Sequence, residues 1–397
     1  MKSNKKQNIY RVVMLVVITA FVTSILTIIG FTNYIKKDGN IRYIITSAET
    51  NDLQSEILKI RAVIDQYYLG DINEKELIDG AVKGYVQALG DKYTQYLTGK
   101  EWEKLQEETL GRYEGIGVYI SSTVETNQII VISPMEGSPA EEAGLQSGDI
   151  ILKVDGTAYK GEEIDVASEK MKGKAGTKVT LEIQRNDETK TVEVERRTVK
   201  LKTVATKVLE NNIGYVQISS FDEGTADEFK ENVEKLQEEG IKSLIIDVRD
   251  NPGGIVSEAL QIADYIVPKN KNLLITVDKD GKEDITKSKK DNFIDMNIVL
   301  LINGNSASSS EILAGALKDN EEATLVGTKT YGKGVMQQLL QLADGGAMKI
   351  TTDEFFTPNK NKIDKVGIEP NEEVKLTTDK DGNVIDSQLK RAVEILK

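Results

Sequence analysis

The segment "NGNSASSSEILAGALKDN", residues 303–320, places Ser306, Ser308, Ser309 and Ser310 directly ahead of a helical pattern. A serine that attacks a carbonyl needs a neighbouring base to take its proton. The chain contains no histidine, which excludes a Ser-His-Asp triad, and no cysteine, which excludes a thiol nucleophile and a Cys/His zinc site. Hydrolytic chemistry is left to Lys, Tyr, Asp or Glu, or to a carboxylate-held metal. Ser308 and Glu311 have the S-x-x-E spacing of a capping box, so these hydroxyls also read as simple helix caps. The two readings share one location. The apolar run "NIVLLI" ends in a turn, and the following helix start offers free N–H groups and positive potential, which suit an oxyanion.

Two further segments supply partners. Lys333 lies between glycines in "GTKTYGKGVMQQ", just after the strand-like "ATLVG". A free lysine, with a pKa of about 10.4, is a poor base at neutral pH, but burial lowers that value. A surface lysine in a glycine-rich turn is the plain alternative. A phosphate loop is another, since Gly327, Gly332 and Lys333 match G-x-x-x-x-G-K. That pattern breaks where Gly334 replaces Ser or Thr and where a strand follows instead of a helix. The third segment, "DVRDNPGG" at 247–254, can present the N–H groups of Gly253 and Gly254 at a strand end, or can be just a tight connection. All three lie at the carboxyl ends of strands, where open α/β sheets place their sites.

The elements that must position them follow from patterning. Residues 201–375 alternate apolar strands ("IGYVQIS", "SLIIDV", "NIVLLI") with helical stretches, which predicts an α/β domain with buried parallel strands. Residues 111–200 are short strands separated by turn residues, with helical pieces near "SPAEEAGL" and "GEEIDVASEKMKG", a small β-rich module. Residues 40–110 read as a helical arm. Leu53, Ile57, Ile60 and Ile64 repeat at helical spacing, as do Leu77, Ala81, Tyr85 and Leu89, and Asn73 with Glu76 marks a helix start. Residues 376–397 end in a short amphipathic helix. At the other end, a basic tail at 1–11 precedes an uncharged run from Val12 to Ile35. As a helix, that run is roughly 36 Å long and spans a hydrocarbon core of about 30 Å. The expected topology is a single-pass anchor with a cytoplasmic N-terminus and the rest of the chain outside the membrane. A cleaved signal peptide is the alternative.

Together the motifs resemble the carboxyl-terminal processing peptidases, PDZ-containing Ser–Lys serine proteases of peptidase family S41. Their "S-A-S-A-S-E-I" stands here as "SASSSEI" (306–312), their "N-P-G-G" as Asn251–Gly254, and their "G-K-G-x-x-Q" as Gly332–Gln337. The resemblance covers roughly residues 50–397. It implies a multidomain α+β protein: membrane helix, helical arm, PDZ domain and an α/β core of ClpP/crotonase-like fold. It implies Ser308 as nucleophile, Lys333 as base, and Gln337 as the residue that orients the lysine. Gly253, Gly254 and the N–H of Ser309 would form the oxyanion hole. Ser309 departs from the family's Ala, and Asp250 from its common Asn. In the PDZ domain, Gly115, Ile116, Gly117 and Val118 would bind a peptide's terminal carboxylate. Arg185 is expected to contact the core as part of a gate.

An eleven-residue helical separation puts Asp319 about 16 Å from Ser308, so its expected role is structural. An extended strand separates Lys333 from Gln337 by about 13 Å, so their contact rests on the resemblance. The acidic turns "DKDGKED" and "DKDGNVID" lack the glycine of a calcium loop and read as hairpins. No metal or cofactor is expected. The net charge of −13 argues against a nucleic-acid partner. The expected function is an anchored serine endopeptidase acting on protein C-terminal tails. The alternative is a catalytically inactive, membrane-tethered PDZ adaptor. An acyl-CoA-type enzyme on a similar core is disfavoured by the PDZ module. A homodimer through arm and tail is an open expectation.

Overall fold

The computed structural model describes residues 53–397 apart from 124, 290–293 and 381. The run 12–35 therefore lies outside the described residues, and no described helix is long and apolar enough to cross a membrane. Helix α1 (Leu53–Tyr67) buries none of its residues and carries the ion pairs Glu56–Lys59 and Arg61–Asp65. It belongs to a unit ending at Ile72, separate from residues 73–397.

The second unit opens with α2 (Glu74–Gln87), whose N-cap is Asn73 as its sequence predicts: the Asn73 side chain accepts from the Glu76 N–H. A strand that periodicity did not reveal follows, β1 (Gln95–Leu97), and then α3 (Gly99–Thr109). The PDZ-like module begins with β2 (Arg112–Gly115), β3 (Val118–Ser122) and β4 (Ile129–Pro134), then the one-turn α4 (Pro139–Glu142). It continues through β5 (Ile150–Val154), β6 (Thr157–Ala158), α5 (Ile164–Met171), β7 (Lys178–Arg185), β8 (Glu188–Glu195) and β9 (Arg197–Lys200). The main sheet runs β3-β4-β5-β7-β8, which leaves β3 at an edge. Inward residues such as Ile129, Val131, Leu181 and Ile183 form its core, and β7 alternates as a one-sided strand should.

The core domain is built on a sheet ordered β10 (Val204–Leu209), β11 (Ile213–Ile218), β12 (Ser243–Asp247), β15 (Asn297–Ile302), β16 (Thr324–Gly327) and β19 (Glu372–Glu373). From β11 onward every pairing is parallel. Helices α6 (Thr225–Glu238), α7 (Val256–Ile266) and α8 (Ser309–Asp319) cover the face that presents Leu244, Ile246, Leu300 and Ile302. Helix α9 (Ser387–Ile395) sets Ala392 and Val393 against Ile245, Val299 and Leu301 on the other face. Burial on both faces explains why β12 and β15 are continuous apolar runs. Each such side chain contributes about 1.5–3 kcal/mol relative to its exposed state.

A second sheet joins β1 and β13 (Asn272–Asp278) to β18 (Ala347–Phe356), with β14 (Glu283–Lys287) beyond β13 and β17 (Val335–Gln341) on the other side of β18. The two acidic turns are hairpin ends: Asp278 receives the N–H groups of Asp280 and Lys282 between β13 and β14, and Thr377–Thr378 pairs with Val384–Ile385.

Candidate active site

The 303–310 loop follows β15 and opens α8. Ser308 is the N-cap, with φ 55° and ψ −112°, a conformation that non-glycine residues avoid and that costs about 1–3 kcal/mol. The surrounding bonds overcome that cost. Ser306 Oγ donates to Val248 O (2.7 Å), Ser310 Oγ to Asn251 O (2.9 Å) and Ser309 Oγ to Gly254 O (2.9 Å). Three of the motif's hydroxyls thus fasten the loop to the 247–254 segment, and Ser308 makes no bond of this kind. Asp250, at φ 60°, accepts from the amides of Asn303 and Asn305. The amides of Asn305 and then Asn303 hold its carboxyl below the usual carboxylate range. The departure from Asn at this position therefore gives one side chain that accepts from two neighbouring amides.

The 247–254 segment is shaped by Asn251, which is fully buried. Its Nδ2 donates to Ile218 O, and its Oδ1 accepts the N–H of Gly253 at 2.8 Å. Gly253 has φ 105°, and a Cβ there would sit 2.8 Å from Ala307 O and from Ser308 Cβ. The glycine is needed for this close approach, but its N–H is occupied. Among the described residues no hydrogen bond takes the N–H of Gly254 or of Ser309. The strand end is fixed from below. Arg249 pairs with Asp247 (2.6 Å) and with Asp386 (2.8 Å) ahead of α9, while Tyr215 Oη donates to Asp247.

Lys333 lies in the loop between β16 and β17, flanked by Gly332 at φ 88° and by Gly334, whose Cβ would fall 2.1 Å from Asp364 N. Glu311, fully buried one turn into α8, ties this loop to Ser308. Its Oε2 accepts from the N–H groups of Ser308 and Lys333, both at 2.9 Å. Its Oε1 accepts from Thr330 Oγ1 (2.6 Å) and from the N–H of Gly332 (2.7 Å). The sequence identified Glu311 only as a capping residue. The capping spacing was visible in one loop, but the second loop it holds lies about twenty residues further on.

The side chains of the base half do not converge on Ser308. Lys333 Nζ sits over the Tyr93 ring, 4.9 Å from its centroid. Among the described residues no hydrogen bond joins it to Ser308 Oγ or to Gln337. Gln337 pairs across from Thr351 on β18, beside a register shift, and its amide donates to Thr351 Oγ1 (3.3 Å) and Val335 O (3.4 Å). Burial, then the charge of Lys349, lowers the pKa of Lys333; Glu311 opposes this and Lys92 adds to it. Asp319 closes α8 at its far end and accepts the N–H of Asn359.

In the smaller module, Gly115 ends β2 and Val118 starts β3, with the buried Ile116 and Gly117 between them. Gly117 has φ 74°, and a Cβ there would lie 2.4 Å from Ser138 Cβ, so only glycine fits. Arg185 corrects one expectation. It makes a bidentate pair with Asp149 (2.6 and 2.7 Å) and donates to Gly144 O, all inside its own module. Asp149 is fully buried, and a buried carboxylate demands such a partner. Arg185 is a brace of the module and does not reach the core.

A strained serine at a helix N-terminus, with unclaimed N–H groups beside it, a half-buried lysine in the adjoining loop and an attached edge-strand module, has the layout of a serine peptidase with a PDZ domain. Family profiles agree in layout. Peptidase family S41 matches residues 212–374, the PDZ domain matches 115–195, and the N-terminal domain of activating protease CtpB matches 33–101. The chain is 34% identical over 326 residues to the carboxy-terminal processing protease CtpA of Bacillus subtilis, covering 82% of this chain and 70% of that protein. It is 32% identical over 398 residues to a protein of Staphylococcus saprophyticus named "Probable CtpA-like serine protease", covering 97% and 78% respectively. A Bacteroides fragilis structure described as an S41 protease shares the fold, with TM-score 0.52 at 17% identity over 85% of this chain and 96% of that one. The chain belongs to peptidase family S41 and is a carboxy-terminal processing serine protease with a PDZ domain.

Proposed function

We propose that Ser308 is the nucleophile and Lys333 the base of this protease, and that the oxyanion is held by the N–H groups of Gly254 and Ser309. The observation that carries the assignment is the separation of tasks among the serines: Ser306, Ser309 and Ser310 have their hydroxyls committed to backbone carbonyls, whereas Ser308 has the strained position at the helix start. Gly253, whose N–H is taken by Asn251, serves as the close-packing residue beneath the serine. In the reaction, Ser308 Oγ attacks the scissile carbonyl as neutral Lys333 takes its proton. The ammonium then protonates the leaving amine, and Lys333 next activates the water that releases the acyl group. Gln337 orients Lys333 once its amide leaves Thr351.

The substrates are C-terminal protein tails captured as an added strand along β3, with the carboxylate at residues 115–118. The 12–35 run anchors the protein in the cell membrane with the catalytic domain on the extracytoplasmic side, and two copies pair through the helical arm and the C-terminal tail. Ser308→Ala and Lys333→Ala should each lower kcat/KM on the order of 10⁴-fold or more while circular dichroism stays unchanged. Normal turnover by either variant defeats the assignment. One observation favours the PDZ adaptor instead: Lys333 makes no bond to Ser308 in this conformation. Labelling of wild type with a fluorophosphonate decides between them, since an adaptor leaves Ser308 unmodified.

A further inference from the structure

We propose that the Tyr93 ring is a resting berth for Lys333, a positioning contact that holds the ammonium away from Ser308 and must be left before Lys333 can act. The proposal rests on Lys333 being the base. Tyr93 belongs to "GDKYTQYL", a stretch of the helical arm in which the sequence showed no chemistry, yet its ring lies under Lys333 Nζ at 4.9 Å.

The ring's position is well determined. The Tyr93 N–H donates to Asp91 Oδ1 (3.0 Å), and Asp91 Oδ2 accepts from Thr94 Oγ1 (2.6 Å). Thr94 Oγ1 in turn accepts the N–H of Thr351 at 3.1 Å, and β1 continues the seam along β18 from Gln95 opposite Lys349. Thr351 is also the residue that holds the Gln337 amide. One strand thus carries both restraints on the base half: the tether of the berth and the partner of the orienting glutamine.

The chemistry gives the contact a direction. An aromatic face attracts a cation and gives little to a neutral amine, so the berth selects the protonated lysine, which is the wrong form for a base. The charges around Lys333 are mixed. Lys349 on β18 and Lys92 beside Tyr93 disfavour its charge, Glu311 on α8 favours it, and Tyr331 stands in its own loop. Lys92 also lies over Tyr93, at 4.7 Å, and over Tyr331 at 5.3 Å. Two ammonium groups on one ring repel each other, which keeps the berth shallow enough to be vacated.

The test uses the full chain, fluorescein-labelled β-casein as substrate, and Tyr93→Leu, Tyr93→Met and Tyr93→Phe. Tyr93 is only half-buried, so the aliphatic variants should fold, and having two of them guards against one failing. Basal kcat/KM should rise several-fold in Leu and Met, and the acid limb of its pH profile should move down by about half to one pH unit. Phe, which keeps the ring, should follow the wild-type limb. Separately, in a Ser308→Ala background, the pH midpoint for acetylation of Lys333 by limiting acetic anhydride, read by mass spectrometry, should fall in Leu and Met and not in Phe. An unmoved midpoint, or activity that drops with the limb in place, overturns the berth. Cleavage that survives Ser308→Ala instead removes the assignment of the site, and the berth's catalytic meaning with it.

Discussion

The two halves of this active site are held to very different standards. On the nucleophile side, side chains of the 303–310 loop donate to the carbonyls of Val248, Asn251 and Gly254, and Asp250 receives two amides in return. On the base side, the backbone of the loop is fixed by Glu311, but Lys333 and Gln337 point to other partners. The Ser308 loop is overdetermined and can sustain a strained serine. The base half is set at the level of rotamers, where a change in one strand's position suffices. A gate that acts on this enzyme should therefore act on the lysine side, since moving the serine side would break a whole set of buried bonds at once.

This contrast can be attacked directly. Gly253→Ala should be the most damaging change on the rigid side. A methyl group 2.8 Å from Ser308 Cβ, at φ 105°, must displace the loop that bears Ser308 and the proposed oxyanion donor Ser309. A loss of about 10²–10³-fold in kcat is expected, as for a lost oxyanion donor, with substrate binding by the isolated PDZ surface unaffected. Retention of activity would mean that the serine side is looser than its bonds imply. Glu311→Gln tests the tie between the halves. An amide NH₂ would face N–H donors that now meet a carboxylate oxygen, leaving buried donors unpaired. Urea titration should show about 2–3 kcal/mol less stability, accompanied by reduced kcat. The mildest test is Lys349→Gln. Burial and then Lys349 lower the pKa of Lys333; with Lys333 as the proposed base, kcat/KM requires the neutral amine, so activity should fall as pH drops through that pKa. Removing the Lys349 charge raises the pKa, so the acid limb should move to higher pH by a few tenths of a unit. Movement in the opposite direction would place Lys349 away from the base.

The sequence was most informative where a residue's own neighbours dictate its role. The continuous apolar runs of β12 and β15 announced buried parallel strands, whereas Gly253 was expected to lend its N–H to an oxyanion and that N–H is taken by Asn251. The α2 cap at Asn73 was equally local. It was silent where a role depends on a partner distant in the chain. Glu311 looked like a capping residue because its first partner is three positions away; the loop at 330–333 became visible only in three dimensions. Arg185 was assigned outward to the core because the sequence does not show that Asp149 is buried beside it. The strand at Gln95–Leu97 is too short for its periodicity to register, and with it the sequence hid the placement of Tyr93. Gln337 was taken to face the lysine, yet the register shift at Met336/Gln337 sets it across from Thr351.

The bridge from Arg249 to Asp386 spans 137 residues and joins the 247–254 segment to the start of α9. During synthesis on the ribosome, Arg249 emerges with Asp247 alone for company, and the helix that seals the back of the sheet arrives much later. The 247–254 segment therefore receives its last support only after the whole core has been translated.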